Sequence, residues 1–213
     1  KKKSEKGGKE TKERPGTLIR FEPDPEIFGE FEWREEYLEH RLRYYAFLNS
    51  GLTLDYNGQK FLSKHGLSDL LAYELGDEMA LYEPMHCKLD RLEFSFAHTH
   101  AYGENYFSFV NGQYTNDGGT HQSAFREGLL KAVNDFAKKK YDGEDVRDSI
   151  VAAISIRLKD PVFESQTKNK LGNTEIRSRL VAEVREAAVD LLHRHPESAE
   201  KLVQKVEDTQ KIR

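Results

Sequence analysis

IVAAISIRLKDPVFESQTKNKLGNTEIRSRL, residues 150–180, carries three structural instructions in one line. Ile150 to Leu158 is an apolar, β-branched run of strand length, which predicts a strand buried on both faces. Asp160-Pro161 stops it, since proline brings no amide hydrogen to a ladder. Phe163 to Asn173 is polar and holds two lysines. From Thr174 onward, Ile176, Leu180, Val184, Ala187 and Leu191 recur at helical spacing, with Asn173 or Thr174 as the expected N-cap. Taken alone, the polar stretch is either a solvated connector or a loop whose Gln166 and Lys168 reach a phosphate on another domain. The residue types leave both readings open.

Working outward toward the C-terminus, His195-Pro196 breaks the helix, and a second amphipathic stretch carries Leu202, Val203 and Val206. On the other side, Asp117-Gly118-Gly119 predicts a turn with Thr120 as N-cap. Phe125, Leu129, Val133 and Phe136 then mark one face of a long helix that ends in Lys138-Lys139-Lys140, where cations complement the helix dipole. Leu89–His98 and Asn105–Val110 alternate apolar and polar positions and predict two antiparallel strands. Further upstream come a short helix around Ser68–Glu74 and a hairpin with an Asn57-Gly58 turn, a pair that tolerates positive φ. An amphipathic helix follows over Glu35–Leu48, stopped by Asn49-Ser50-Gly51. Thr17–Phe21 reads as a strand halted by Pro23 and Pro25, and residues 1–14 as a polar tail. Strands and helices mix without a regular βαβ repeat, so the expected class is α+β or an irregular α/β sandwich.

Composition narrows the function classes. The chain has 213 residues, 37% of them hydrophobic, with 12 Phe and 10 Tyr, which is ample material for a core. Its net charge of -4 argues against a protein that grips nucleic acid over its whole surface. Charge is unevenly spread: residues 1–14 carry +4, residues 157–213 carry +2, and the middle -10. DNA contacts are therefore expected only at the ends or in local patches. Cys87 is the single cysteine, so no intrachain disulfide forms, and a reducing cytoplasm is the expected compartment. No apolar run is long enough to span a membrane, and an opening at Lys1 without a leader reads as part of a longer protein.

Candidate sites are few. His98 and His100, with His86 and Cys87 nearby, lack a second ligand pair at ordinary zinc spacing and read as packing or surface side chains, so no metal is expected. No nucleophile elbow is present, so no independent hydrolase is expected. The Gly118-Gly119-Thr120-His121 turn opens a helix and could hold an anion, but it lacks the length and lysine of a Walker loop. A plain capped turn is the simpler reading.

Several motifs in one order resemble the transducer domain of the B subunits of bacterial type IIA topoisomerases, gyrase and topoisomerase IV. They are Gly118-Gly119-Thr120-His121, Phe125-Arg126-Glu127-Gly128, Gly143-Glu144-Asp145-Val146-Arg147, and the run from Ile154-Ser155 through Pro161 and Phe163-Glu164 to Gln166–Asn173. Gly16-Thr17 to Phe21-Pro23-Asp24 and Phe47–Gly51 add to the likeness, which spans about residues 14–212 and is poor over 57–88 and in the basic tail. The resemblance implies an α/β sandwich with a mixed, largely antiparallel sheet, a left-handed βαβ crossover and C-terminal helices. It implies residues 1–22 as the tail and exit strand of a truncated ATP-binding domain, 23–192 as the transducer, and 193–213 as a connecting helix.

The resemblance also gives Gln166 and Lys168 a role, as the Gln-Thr-Lys loop that touches the ATP γ-phosphate held by the ATP-binding domain. It implies ATP and Mg2+ in the whole subunit, with no catalytic residue and no bound cofactor in this segment. The partners implied are that domain, the topoisomerase A subunit, double-stranded DNA and a nucleotide-dependent homodimer, with no membrane. The alternatives are the equivalent domain of a mismatch-repair type ATPase and a non-enzymatic nucleic-acid-binding module.

Overall fold

The computed structural model describes residues 16–212. The basic tail expected over residues 1–14 lies outside them. Two compact units divide the chain between Leu38 and Glu39.

The first unit contains one turn of helix, α1 (Pro25–Phe28), and the start of α2 (Glu35–Leu48). Asp24 caps α1 by accepting the Glu26 amide at 2.9 Å, and Pro25 supplies a first residue with φ already helical. Phe21, Phe31 and Trp33 meet edge to face, with centroids 6.0 and 4.9 Å apart. The strand expected over Thr17–Phe21 does not form: those residues have no ladder partner among the described residues, and Leu18 is 94% exposed. A strand exists only where a neighbour accepts its hydrogen bonds.

The second unit begins within α2 and continues into the hairpin β1 (Thr53–Tyr56) and β2 (Gln59–Leu62) and the helix α3 (Leu67–Leu75). Strands β3 (Met85–Lys88), β4 (Leu92–His98), β5 (Glu104–Val110) and β6 (Gln113–Tyr114) follow. Helices α4 (Thr120–Ala137) and α5 (Gly143–Arg147), strand β7 (Ile150–Ile156) and helices α6 (Arg177–Arg194) and α7 (Pro196–Ile212) complete it. The five-stranded sheet runs β3-β4-β7-β5-β6, with β5 and β7 parallel and the other pairs antiparallel.

β4 and β5 do run antiparallel, as their alternation predicts, but they are not neighbours, because β7 enters between them. Its register explains why the sequence from Ile150 is apolar on both faces. Opposite residues share a face, so Phe94, Ile154 and Ser108 line one side, and Ser95, Ala153 and Phe107 the other. On the first side Phe125 of α4 packs against Phe94 and Phe96, at 5.5 and 6.1 Å between centroids. On the second, the Leu67 amide of α3 donates to Glu93 at 2.9 Å, and Tyr44 of α2 meets Phe109 at 5.7 Å. Helices thus cover both faces, an α+β sandwich with β5-α4-β7 as its parallel unit.

α4 and α6 lie close together at Gly128, where a Cβ would stand 2.7 Å from Val184 Cβ. The capping expectations need correction. Gly119, rather than Thr120, precedes α4. A 3-10 turn over Thr174–Ile176 leads into α6, and Asn173 makes no side-chain cap bond to the helix. Its amide instead accepts from the Val162 amide at 2.6 Å and donates to the Asp160 carbonyl at 3.3 Å. The Asn173 oxygen is turned toward the entry of the polar loop rather than toward a helical amide, and its nitrogen also donates to the Glu175 carboxylate at 2.7 Å.

Candidate functional site: an ordered polar loop on the rim of the sandwich

Beyond β7 the chain leaves the sheet and returns as a loop closed at its base. Phe163 and Leu171 form an antiparallel bridge, the Glu164 amide donates to the Lys170 carbonyl at 3.0 Å, and the Gly172 amide donates to Val162 at 2.8 Å. At its tip, the Lys168 amide donates to the Ser165 carbonyl at 3.0 Å, making a turn of Ser165, Gln166, Thr167 and Lys168. The Ser165 and Thr167 hydroxyls are bonded at 2.6 Å within it. Lys168 has φ +57, the left-handed region that a side chain seldom adopts without a reason. Gln166 and Lys168 are both exposed.

The base of the loop rests on the start of α4. Leu171 buries its side chain in the core at 1% exposure. Its amide donates to the Gly118 carbonyl at 3.1 Å, and its own carbonyl accepts the Thr120 amide at 3.1 Å. One residue earlier in the turn, the Asp117 amide donates to the Asn169 carbonyl at 3.0 Å. The Gly-Gly-Thr-His turn and the Gln-Thr-Lys loop, separate in sequence, are therefore one structure. The first helical amide that an anion would have used goes to the Leu171 carbonyl instead.

Charge around this rim is mostly spoken for. An open groove of about 400 Å³ is lined by Arg126, Lys170 and Arg177 among others. Each is paired: Arg126 with Glu104 at 2.7 Å, Lys170 with Glu164 at 3.0 Å, and Arg177 with Glu127 at 2.5 Å. The Lys131 and Arg177 hydrogen bonds hold the Glu127 carboxyl below its usual range. Of the loop's two lysines, Lys170 is paired and Lys168, in the tip turn, has no ion-pair partner among the described residues.

The histidines separate. His98 is fully buried at the end of β4, while His100 lies past the strand and is exposed, so the two do not share a site. His98 Nε2 faces the Val146 carbonyl at 2.8 Å and must donate to it. With its pKa lowered by burial the ring is neutral near pH 7, so Nδ1 accepts from the Tyr82 hydroxyl. Burial, only partly offset by the Val146 bond, lowers its pKa to about 4. His121, in the first turn of α4, is likewise lowered to about 4 by burial, with Nε2 3.1 Å from Thr115 and Nδ1 without a hydrogen-bond partner among the described residues. His86 pairs with Glu93 at 3.0 Å, and burial pushes the Cys87 thiol up from its ordinary value. Among the described residues no three His, Cys, Asp or Glu side chains gather as a metal would need.

The foothold of the loop escaped sequence reasoning. The only local signal was the doubled glycine, which by itself marks nothing more than a turn.

Helices cover both faces of the sheet, and one polar loop, tied at its base to the start of α4, stands on the rim. The sequence profile of the DNA gyrase B family matches residues 66–213, and the chain belongs to that family. The B subunit of DNA topoisomerase 4 from Borreliella burgdorferi is 48% identical over 201 residues, covering 94% of this chain and 34% of that protein. The B subunit of DNA gyrase from Thermotoga maritima is 35% identical over 224 residues, covering 93% of this chain and 35% of that protein. Among solved structures, the 43K ATPase domain of Thermus thermophilus gyrase B, in complex with an aminocoumarin, matches with a TM-score of 0.76 at 30% identity. That match covers 88% of this chain and 56% of the other. The chain thus spans about a third of the length of these curated relatives. No helix of the described residues is long and apolar enough to cross a membrane.

Proposed function

We propose that this chain is the transducer segment of a type II topoisomerase B subunit, and that Lys168, with Gln166, senses the γ-phosphate of ATP held by a neighbouring ATP-binding domain. The observation that carries the reading is an exposed ammonium without an ion pair among the described residues, on a turn whose base is tied to the core through Leu171. An ordered loop places a charge at a defined point without a large entropy cost at the moment of contact. At about 4 Å and an effective dielectric of 20, an ammonium and a phosphate charge attract by roughly 4 kcal/mol. A ligand shifts a conformational equilibrium only by its differential affinity for the two states, so a contact made to ATP and lost with ADP is the kind of switch required.

On this reading residues 1–22 belong to the exit from the ATP-binding domain, 23–192 form the transducer and 193–213 the connecting helix. The exposed Leu18, Ile19 and Phe21 support it, since that face has apolar surface to cover. The α6–α7 break at His195 falls close to the second boundary. The chemistry of the donors fits a phosphate: a cation and an amide, both acting through hydrogen bonds. The residues that hold Mg2+ would belong to the ATP-binding domain. The whole subunit would work in the cytoplasm with the topoisomerase A subunit, as a nucleotide-dependent homodimer, passing one DNA duplex through another at the expense of ATP.

Lys168→Gly in the intact subunit tests this. Positive φ suits glycine at least as well as lysine, so the substitution removes the charge while keeping the turn. ATP-driven supercoiling or decatenation is expected to disappear with the fold unchanged by circular dichroism. Retention of coupled activity at the wild-type level would falsify the reading. The isolated chain is expected to hydrolyse no ATP in a phosphate-release assay.

A further inference from the structure

We infer that Gly119 is a positioning residue for the phosphate contact: the absence of its side chain sets the height at which the Ser165–Lys168 turn stands above the sandwich. The inference rests on the reading of Lys168 given above and adds the residue that fixes its reach.

The two glycines of the turn do different things. Gly118 has φ +70, and a Cβ there would meet the end of the Gln122 side chain, which can swing aside. Gly119 has φ +123, and a Cβ there would stand 2.9 Å from Leu171 Cα and closer still to its amide nitrogen and carbonyl oxygen. Backbone on one side faces backbone on the other, so neither can rotate away. An alanine at 119 is strained at φ +123 whatever the space, and with the turn held in place it reaches ordinary contact when the Leu171 backbone retreats by about 1 Å. The loop would move as a piece. Glu164 with Lys170 and Ser165 with Lys168 are joined by backbone hydrogen bonds within the loop, leaving little slack between Leu171 and the Lys168 tip, while the Asn169–Asp117 bond is a tie to the turn that must give. Moving the ammonium from about 4 to about 5 Å weakens its attraction to a phosphate by roughly a fifth at a dielectric of 20, on the order of fourfold in preference for the triphosphate.

The experiment measures, in the intact subunit, affinities for a non-hydrolysable ATP analogue and for ADP by calorimetry at fixed salt. The forms compared are wild type, Gly119→Ala, Lys168→Gly and the double substitution. Gly119→Ala is expected to lower the preference for the analogue about fourfold with ADP affinity unchanged, and to change nothing further once Lys168 is gone. An equal loss for both nucleotides, or the same loss with Lys168 absent, marks Gly119 as merely structural and overturns the inference. Lys168→Gly alone separates the two levels of argument: if it leaves the preference intact, the phosphate reading itself has failed. Should Gly119→Ala not fold, a glycine inserted between Lys168 and Asn169, in a largely exposed stretch, detaches the tip from its foothold and is expected to cost at least the same fourfold. An unchanged preference there also overturns the inference.

Discussion

Two excursions from the second unit look alike in outline and are built on opposite principles. The β1–β2 hairpin turns at Asn57-Gly58, whose φ values of +52 and +86 are those of a tight hairpin turn; among the described residues its strands pair only with each other, and Phe61 is its one buried side chain. The 163–171 loop also closes with an antiparallel bridge, but its position is fixed from outside, by the buried Leu171 and by the Asp117–Thr120 turn. The hairpin's shape is encoded in ten adjacent residues; the loop's needs a second segment folded beneath it. A side chain that must meet a distant partner belongs on the second kind, because its height is set by the body of the domain.

Leu171→Ala should separate the two most sharply. Leu171 is buried and Leu62 of the hairpin is about half exposed, so removing the first is expected to destabilise by about 2–5 kcal/mol and the second by under about 1 kcal/mol in urea titrations. Similar losses would mean that the loop is not footed in the core.

Acid should act next, and only on the sandwich, since the hairpin carries no histidine. His98 and His121 fall from the ordinary 6.5 to about 4, so the folded protein refuses protons that the unfolded chain accepts between those values. Their stabilisation is fully present above pH about 6.5 and is lost as pH falls toward about 4. The loss is on the order of 2 kcal/mol for each ring by pH about 5, readable as a falling urea midpoint. Flat stability across that window would show that neither ring is desolvated.

Gly58→Ala is expected to cost about 1 kcal/mol, the strain of positive φ with nothing nearby to clash. The smallest effect is that of Lys168→Gly on stability, under about 1 kcal/mol in either direction, because the strained φ is relieved as the chain gains freedom when unfolded. A larger loss would show that Lys168 holds the loop together rather than being held out by it.

Periodicity made much of this fold legible. The helices at Glu35–Leu48 and beyond Thr120, the apolar strand from Ile150 and the break at His195 all stand where the spacing put them. Alternation correctly sorted Phe94 and Phe96 onto one face, but it could not show that β7 would separate β4 from β5, since the order of strands is a non-local choice. Nor could it separate His98 from His100, whose fates depend on where the strand ends. The candidate loop was visible as a motif with two readings, connector or phosphate contact; what the structure adds is its attachment to Gly118 and Thr120, which no local pattern contains.

The sequence by itself determined the elements, the class of fold and the identity of the loop residues, because side-chain period and turn chemistry act over a few neighbouring residues. Tertiary structure alone decided which strands adjoin, which cations are neutralised and how the loop is carried, because those depend on backbone segments far apart in the chain meeting at hydrogen-bond distance.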